Sequence, residues 1–468
     1  MEHALKNTAD ALLCGARALI SSPWFAAVTA VYTLVCYYMG WDVAMIWYMA
    51  LAGSFILLFV DDVTPLITLF LFMNIMISMK NSPTTIDGNS NQYYFQTHVL
   101  AQIGVGVALF AGSGVYRGIR EVLHGRFKPS PAFYSLVALS VAMLLNGAFA
   151  PDYVPFTLVY GLILAFLFIV PFVVCSSAVK FDEEAFKRVA WAFIALAACL
   201  VVELVVAYCT YDGLWLEDGT INRGKLYFGW GVYNTMGMLF VISMPAAAYL
   251  GIVYKGRLSC LCSAVLVLIM LASLATMSRQ AIVCGFIVFA LCVAWLMAKC
   301  ADRWLNGGTM LCMAALALVA FIVKIDFVYD VWRKLTNDFF DGSGRIELYK
   351  KAFAAFLSCP LFGTGFCTGV SDPVIGLPIM PFMYHDTVFQ LIGASGAFGL
   401  AAYVWHRVHT IISFAKNPSA GRTFIALSLA ALLLLNLFDN HIFYLLPTLV
   451  FSFLTAVLVA SENAQSKN

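Results

Sequence analysis

About fourteen stretches of roughly twenty mostly apolar residues follow one another along this chain, the length and composition a helix needs to cross a bilayer. They centre near Val31, Leu51, Leu69, Gly106, Val141, Leu164, Ala195, Ile242, Val267, Val288, Leu316, Ser395, Leu432 and Phe451. A chain divided in this way is expected to fold as an all-α, polytopic integral-membrane helical bundle. Its composition agrees, with 62% hydrophobic and 11% charged residues and a mean hydropathy of +0.88; in soluble domains about a quarter of residues are charged.

The few polar residues are concentrated. Residues 1–325 read as a transmembrane scaffold of about eleven helices, 326–385 as one large loop, and 386–468 as C-terminal helices. Lys and Arg accumulate in cytoplasmic loops. With the N-terminus inside, 17 of the 27 fall there, including Arg117, Arg188, Arg257, Arg303, Arg407 and Arg422. An even number of spans returns the C-terminus to the cytoplasm. The remaining cations, Lys80, Arg223, Lys225, Arg279, Lys324, Arg333, Lys334, Arg345, Lys350 and Lys351, face outward and gather in the second half. The first 22 residues lack the charged, apolar and small-residue pattern of a cleaved secretory signal, so the N-terminus is expected to be retained.

Several function classes drop out. A net charge of +2 without basic runs interleaved with aromatics sets nucleic acid aside. The 13 cysteines form no CxxC pair and have no His at ligand spacing, so neither a zinc site nor a disulfide framework is expected. Cys359 and Cys367 flank Pro360-Leu361-Phe362-Gly363-Thr364-Gly365, and a bridge between them is left open. There is no GxxxxGK, no nucleotide fingerprint and no carboxylate pair at metal spacing, so no cofactor or metal is expected.

What remains lies in or beside the large loop. Arg279 stands in a short hinge between two apolar stretches, at the outer boundary, where an Arg faces an anion, water or lipid headgroups. Arg345 follows Gly342-Ser343-Gly344, with Ser343 a candidate N-cap. Ile346, Tyr349, Phe353, Phe356 and Leu357 then recur at helical spacing and predict an amphipathic helix suited to the membrane surface. In its first turn, Arg345 would add a bidentate fork to backbone N–H groups that already favour an anion; it could equally lie in water. His385 sits at the start of the next apolar stretch, where a neutral imidazole can act as general base or simply bond a loop carbonyl, and Asp386 could cap that helix or orient the ring. Arg223, Lys225, Tyr233 and Asn234 in a second polar loop, and His441 in the turn Asp439-Asn440-His441, are candidate substrate contacts that could equally be solvated or turn-forming.

In this order, Ser278-Arg279, Ser343-Gly344-Arg345, Pro360 to Gly365, His385 and Gly393 to Gly399 resemble the O-antigen polymerase and ligase superfamily of bacterial membrane glycosyltransferases. The resemblance covers Met277 to Trp405. It implies a GT-C-like bundle in the bacterial plasma membrane, with an outer-face site and neither nucleotide sugar nor metal. Donor and acceptor would be undecaprenyl diphosphate-linked oligosaccharides, with membrane lipids and a chain-length regulator as further partners. Residue by residue, it assigns Arg279 and Arg345 to the donor diphosphate and His385 to the acceptor hydroxyl. The family commonly has Asn after that His, whereas this chain has Asp386. Three activities stay open: a polymerase extending lipid-linked repeats, a ligase passing the glycan to lipid A core or a protein, and a flippase.

Overall fold

The computed structural model describes residues 2–73, 97–216, 221–222, 225–228, 231–323, 329, 331–332, 344–368, 380–381, 384–416 and 418–465. Its helices are α1 (Glu2–Ile20), α2 (Trp24–Met39), α3 (Asp42–Phe59), α4 (Leu66–Phe72), α5 (Thr97–Leu123), α6 (Pro131–Leu144), α7 (Phe156–Ala178) and α8 (Glu183–Thr210). There follow α9 (Tyr233–Val253), α10 (Gly256–Ala275), α11 (Arg279–Lys299), α12 (Arg303–Val323), α13 (Arg345–Ser358), α14 (Thr387–Lys416), α15 (Ala420–Leu435) and α16 (Leu445–Gln465). Two antiparallel ladders of two residues per strand, Tyr227–Phe228 with Gly231–Val232 and Cys367–Thr368 with Met380–Pro381, are the strands among the described residues.

The chain is a polytopic helical membrane protein. Each centre read from the sequence falls on a helix. Among the described residues nine helices are long and apolar enough to span, ten if Leu13–Ile20 and Trp24–Met39, bent by 90°, make one crossing. The shortfall from fourteen is one of length: the described α4 has 7 residues, α6 has 14, α15 has 16, and the apolar part of α16 is only Pro447–Ala460. Polar caps cut the helices where the sequence turns, as when Ser130, Asp182 and Ser419 accept the N–H of Phe133, Ala185 and Arg422.

The centre of the bundle is α9, buried on every side from Met236 to Gly251 and packed against α8, α10, α11 and α15. At the other extreme, α12 buries Asn306 alone. That amide donates to Ser259 Oγ (2.9 Å) and accepts from Ser263 Oγ (2.8 Å), pinning α12 to α10.

The two ends of the bundle differ. One end joins the C-termini of α3, α5 and α7 to the start of α8. Arg117 bonds the carbonyls of Leu57, Val60 and Asp61 and pairs with Glu121 at 2.7 Å, while Arg188 pairs with Asp62. Nearby Phe186 lies over Gly421 at the start of α15, where Arg422 donates to Ser413 O and Leu458 O. Arg117, Arg407 and Arg422, counted above as loop cations, are thus on helices, the first and last fully buried.

At the opposite end the large loop is clasped to α14. That helix breaks at Gly396 (φ 65°, ψ −162°), and the backbone groups freed there pair with Pro360–Gly365. Ala397 N and Phe398 N donate to Pro360 O (2.8 Å) and Leu361 O (3.1 Å), and Thr364 N and Gly365 N to Gly393 O (2.9 Å) and Ala394 O (3.0 Å). Gly147 N, just past α6, donates to Phe362 O (2.9 Å), and Asn146 Oδ1 accepts from Phe366 N (2.9 Å). Cys359 and Cys367, on either side of the clasp, are both free and buried.

Candidate active site

Among the described residues, only Met277 (φ 56°) and His385 (φ 54°) hold a positive φ without being glycine. Each such residue costs about 1–3 kcal/mol, a strain that collects at functional sites. One precedes Ser278-Arg279 and the other is the sequence-derived histidine.

Around His385 the structure builds a polar cluster from three elements. His385 Nδ1 lies 3.2 Å from Asp439 Oδ1 in the turn between α15 and α16. Nδ1–H therefore donates to the carboxylate, which in the neutral ring leaves the lone pair on Nε2, on a side chain that is 43% exposed. Asp386 does not orient the ring. Its carboxylate caps α14, accepting from Val388 N (2.7 Å) and Phe389 N (2.9 Å). Burial pushes that carboxyl up, against the pull of those N–H groups and of Arg345.

Two buried amides fix the arrangement. Gln390 Oε1 accepts from Tyr384 N and from Asn440 Nδ2, both at 2.9 Å, tying the segment before His385 to the turn that carries Asp439. Gln280, one residue after Arg279, donates through Nε2 to His441 Nε2 (3.1 Å). Its neighbour Ser278 donates to Asn234 Oδ1 (2.8 Å) at the start of α9. His441 is buried with Nε2 3.9 Å from Asp439 Oδ2, so it orients the turn from within. Burial alone would raise the Asp439 carboxyl, but the His441 imidazole and the hydrogen bond from His385 outweigh it and hold it at about 2.

Arg345 opens α13. Its N-cap is Gly344 (φ 74°), with no side-chain cap, and Ser343 lies outside the described residues. Tyr349 of α13 stacks on Phe389 of α14 (centroids 4.1 Å apart, planes at 7°), which docks α13 on the head of α14. Arg345 is close enough for its charge to act on Tyr349 and Asp386. The predicted apolar stripe is split: Tyr349 turns to α14, as does Ala352, which was not part of the stripe, while Ile346, Phe353 and Leu357 stay exposed.

Positions 279, 345 and 385 therefore share one end of the bundle, joined through Gln280, His441, Asp439 and α13. Asn234 belongs to this cluster and Tyr233 begins the same helix. Lys225 lies over Gly213, its N–H on Asn222 O, away from those bonds, and Arg223 is outside the described residues. Sequence reading missed the roles of Gln280, Gln390 and Asp439. Only the last left a trace, as an acid two residues before a His in a tight turn.

The cluster predicts a pH dependence. Burial pushes the His441 imidazole below its ordinary value, against the pull of Asp439. A histidine whose folded value is depressed contributes stability that is complete above its unfolded value of about 6.5 and is lost as pH falls below it. The depressed Asp439 carboxyl acts in the same direction but only below about 4. The thermal midpoint is expected to hold between about pH 7.5 and 6.5 and to drop towards pH 5. A flat midpoint across that range would contradict the buried neutral imidazole.

Residues 264–404 match the family model described as O-Antigen ligase, under a third of the chain. This supports the resemblance to the O-antigen ligase and polymerase superfamily and a ligase or glycosyltransferase type of activity in general terms. The matched stretch contains Arg279, Arg345 and His385 and stops short of Asp439 and His441. No curated relative matches the chain.

Proposed function

We propose, from this match and the polar cluster around His385, that the chain is a metal-independent polysaccharide polymerase. It would transfer a glycan from an undecaprenyl diphosphate-linked donor to a sugar hydroxyl of another lipid-linked repeat. The observation that carries the reading is the His385–Asp439 pair on a strained, half-exposed segment beside Arg345. Nε2 of His385 removes the proton of the acceptor hydroxyl, whose oxygen attacks the anomeric carbon of the donor. The bond from that carbon to the diphosphate breaks, and undecaprenyl diphosphate leaves. Arg279 and Arg345 hold the diphosphate and offset its growing charge. Asp439 keeps the imidazole in the required tautomer and stabilises the imidazolium.

In this reading fourteen helices cross the plasma membrane of a bacterium, both termini are cytoplasmic and the cluster faces outward. The exposed face of α13, with Ile346, Phe353 and Leu357, lies along the bilayer surface and the polyprenyl chain. Tyr233 and Asn234 line the sugar side. The family description favours a second reading, transfer of the same donor glycan to lipid A core or a protein. Purified enzyme supplied only with lipid-linked repeats separates the two. Longer lipid-linked glycans support the polymerase; donor recovered unextended, from a preparation that transfers glycan to an added acceptor, replaces it with the ligase.

A further inference from the structure

At the end of the bundle remote from His385, α14 carries a cation with no acceptor among the described residues. Its place follows from its neighbour. His406 is fully buried with Nδ1 3.1 Å from Ala132 O and from Ser135 Oγ, in the first turns of α6. The other end of α6 runs into Asn146 and Gly147, which hold the clasp.

Arg407 is the next residue. Its Nε, Nη1 and Nη2 are all buried, and none has a hydrogen-bond partner. Its guanidinium carbon lies 4.4 Å from the Phe451 ring centroid on α16 and 5.4 Å from that of Tyr403. Such stacking engages only the face of the guanidinium plane. The five N–H donors radiate from its edge, and neither ring accepts them. His406 bonds a carbonyl through Nδ1 and supplies no negative charge. The other buried or half-buried arginines of this end are treated differently: Arg117 has Glu121 and three carbonyls, Arg188 has Asp62, and Arg422 has two carbonyls.

A charged side chain inside a membrane bundle requires a counter-anion or a water path. Arg407 sits where an anion can arrive from the lipid side. Val404, Val408 and Ile411, which flank it on α14, are 50%, 46% and 65% exposed. Trp405, 45% exposed, marks the same level with an aromatic ring of the kind found at headgroup depth. We propose that Arg407, packed between Tyr403 of α14 and Phe451 of α16, is a binding site for a phosphate group arriving from the lipid side. Rotation of the side chain off Phe451 turns its fork outward to grip two phosphate oxygens. The phosphate is that of an anionic phospholipid headgroup or a free ion of the same chemistry. This site is independent of the reading given to the His385 cluster.

The test uses the purified full chain in phosphatidylcholine nanodiscs, as wild type, Arg407→Met and Arg407→Lys. Thermal unfolding is followed with phosphatidylcholine alone, with phosphatidylglycerol added, and with inorganic phosphate at matched ionic strength. The wild-type midpoint is expected to rise by several degrees, the Met variant to lose that rise and the Lys variant to keep part of it. A rise with phosphatidylglycerol alone assigns the headgroup, and one with inorganic phosphate assigns the free ion. Equal shifts in wild type and Arg407→Met, or no shift in wild type with either anion, would overturn the site. Should Arg407→Met fail to fold, native mass spectrometry of wild type against Arg407→Lys decides, because the site requires fewer retained anionic lipids in the Lys variant.

Discussion

His385→Asn is expected to fold close to wild type and to lose about 10²- to 10⁴-fold in the rate of glycan transfer, the usual contribution of a positioned general base. Asparagine is chosen because it tolerates the left-handed backbone found at this position (φ 54°) and its amide can still donate to Asp439. Neither strain nor an unpaired buried carboxylate is then introduced, and what disappears is the lone pair that takes the proton. His385→Ala removes both and should lower the unfolding midpoint as well. Asp439→Asn tests the partner from the other side. It keeps the shape of the turn but removes the charge that selects the Nδ1–H tautomer, a change that costs up to about 10⁴-fold in other Asp–His pairs. Initial rates on lipid-linked repeats, beside thermal unfolding of each variant, give the comparison. A His385→Asn enzyme within tenfold of wild type would remove the general-base role; loss in Asp439→Asn alone would assign the chemistry to the carboxylate.

The helices were legible because burial in lipid demands long apolar stretches, so Leu316 and Ala195 announce their helices without any tertiary information. Depth was not legible. Arg407 and Arg422 look like loop cations because the helices that carry them end in ordinary polar residues, and only packing shows that they turn inward. Within the candidate site, Arg279, Arg345 and His385 stood out as polar residues at the edges of apolar stretches. Gln390 and Gln280 did not, since an uncharged amide has no acid–base or ionic chemistry to mark it as functional, and their value lies in bonds to residues 6 to 161 positions away. Asp439 read as turn chemistry, which it also supplies, since Asn440 N donates to it at 2.9 Å. The glycines of the clasp read only as punctuation. Their purpose appears once two segments of the chain are laid against each other.

Those glycines give the largest expected loss of stability. A Cβ added at Gly396 would lie 2.5 Å from the carbonyl carbon and oxygen of Leu361, and one at Gly363 would lie 2.4 Å from the carbonyl carbon of Ala394. Both are backbone atoms, which no rotamer change can move aside. Gly396 also holds φ 65° with ψ −162°, a conformation essentially confined to glycine. Gly396→Ala and Gly363→Ala are each expected to destabilise the chain by at least about 3 kcal/mol, strain and clash together, and to reduce folded yield sharply. Gly344→Ala, with φ 74° but nothing within 4 Å, meets strain alone and should cost about 1–2 kcal/mol. Gly308→Ala, helical and open on α12, should be neutral or stabilising by up to about 1 kcal/mol. Unfolding midpoints of the four variants check the order, and a Gly396→Ala protein as stable as Gly308→Ala would mean that α14 is not broken at that position. The clasp also governs the site. Tyr384 lies over Gly393, the residue whose carbonyl accepts from Thr364, and it immediately precedes His385. Loosening Pro360–Gly365 from α14 therefore releases the segment that holds the imidazole against Asp439, and any folded fraction of these variants should lose transfer activity in excess of its loss in yield.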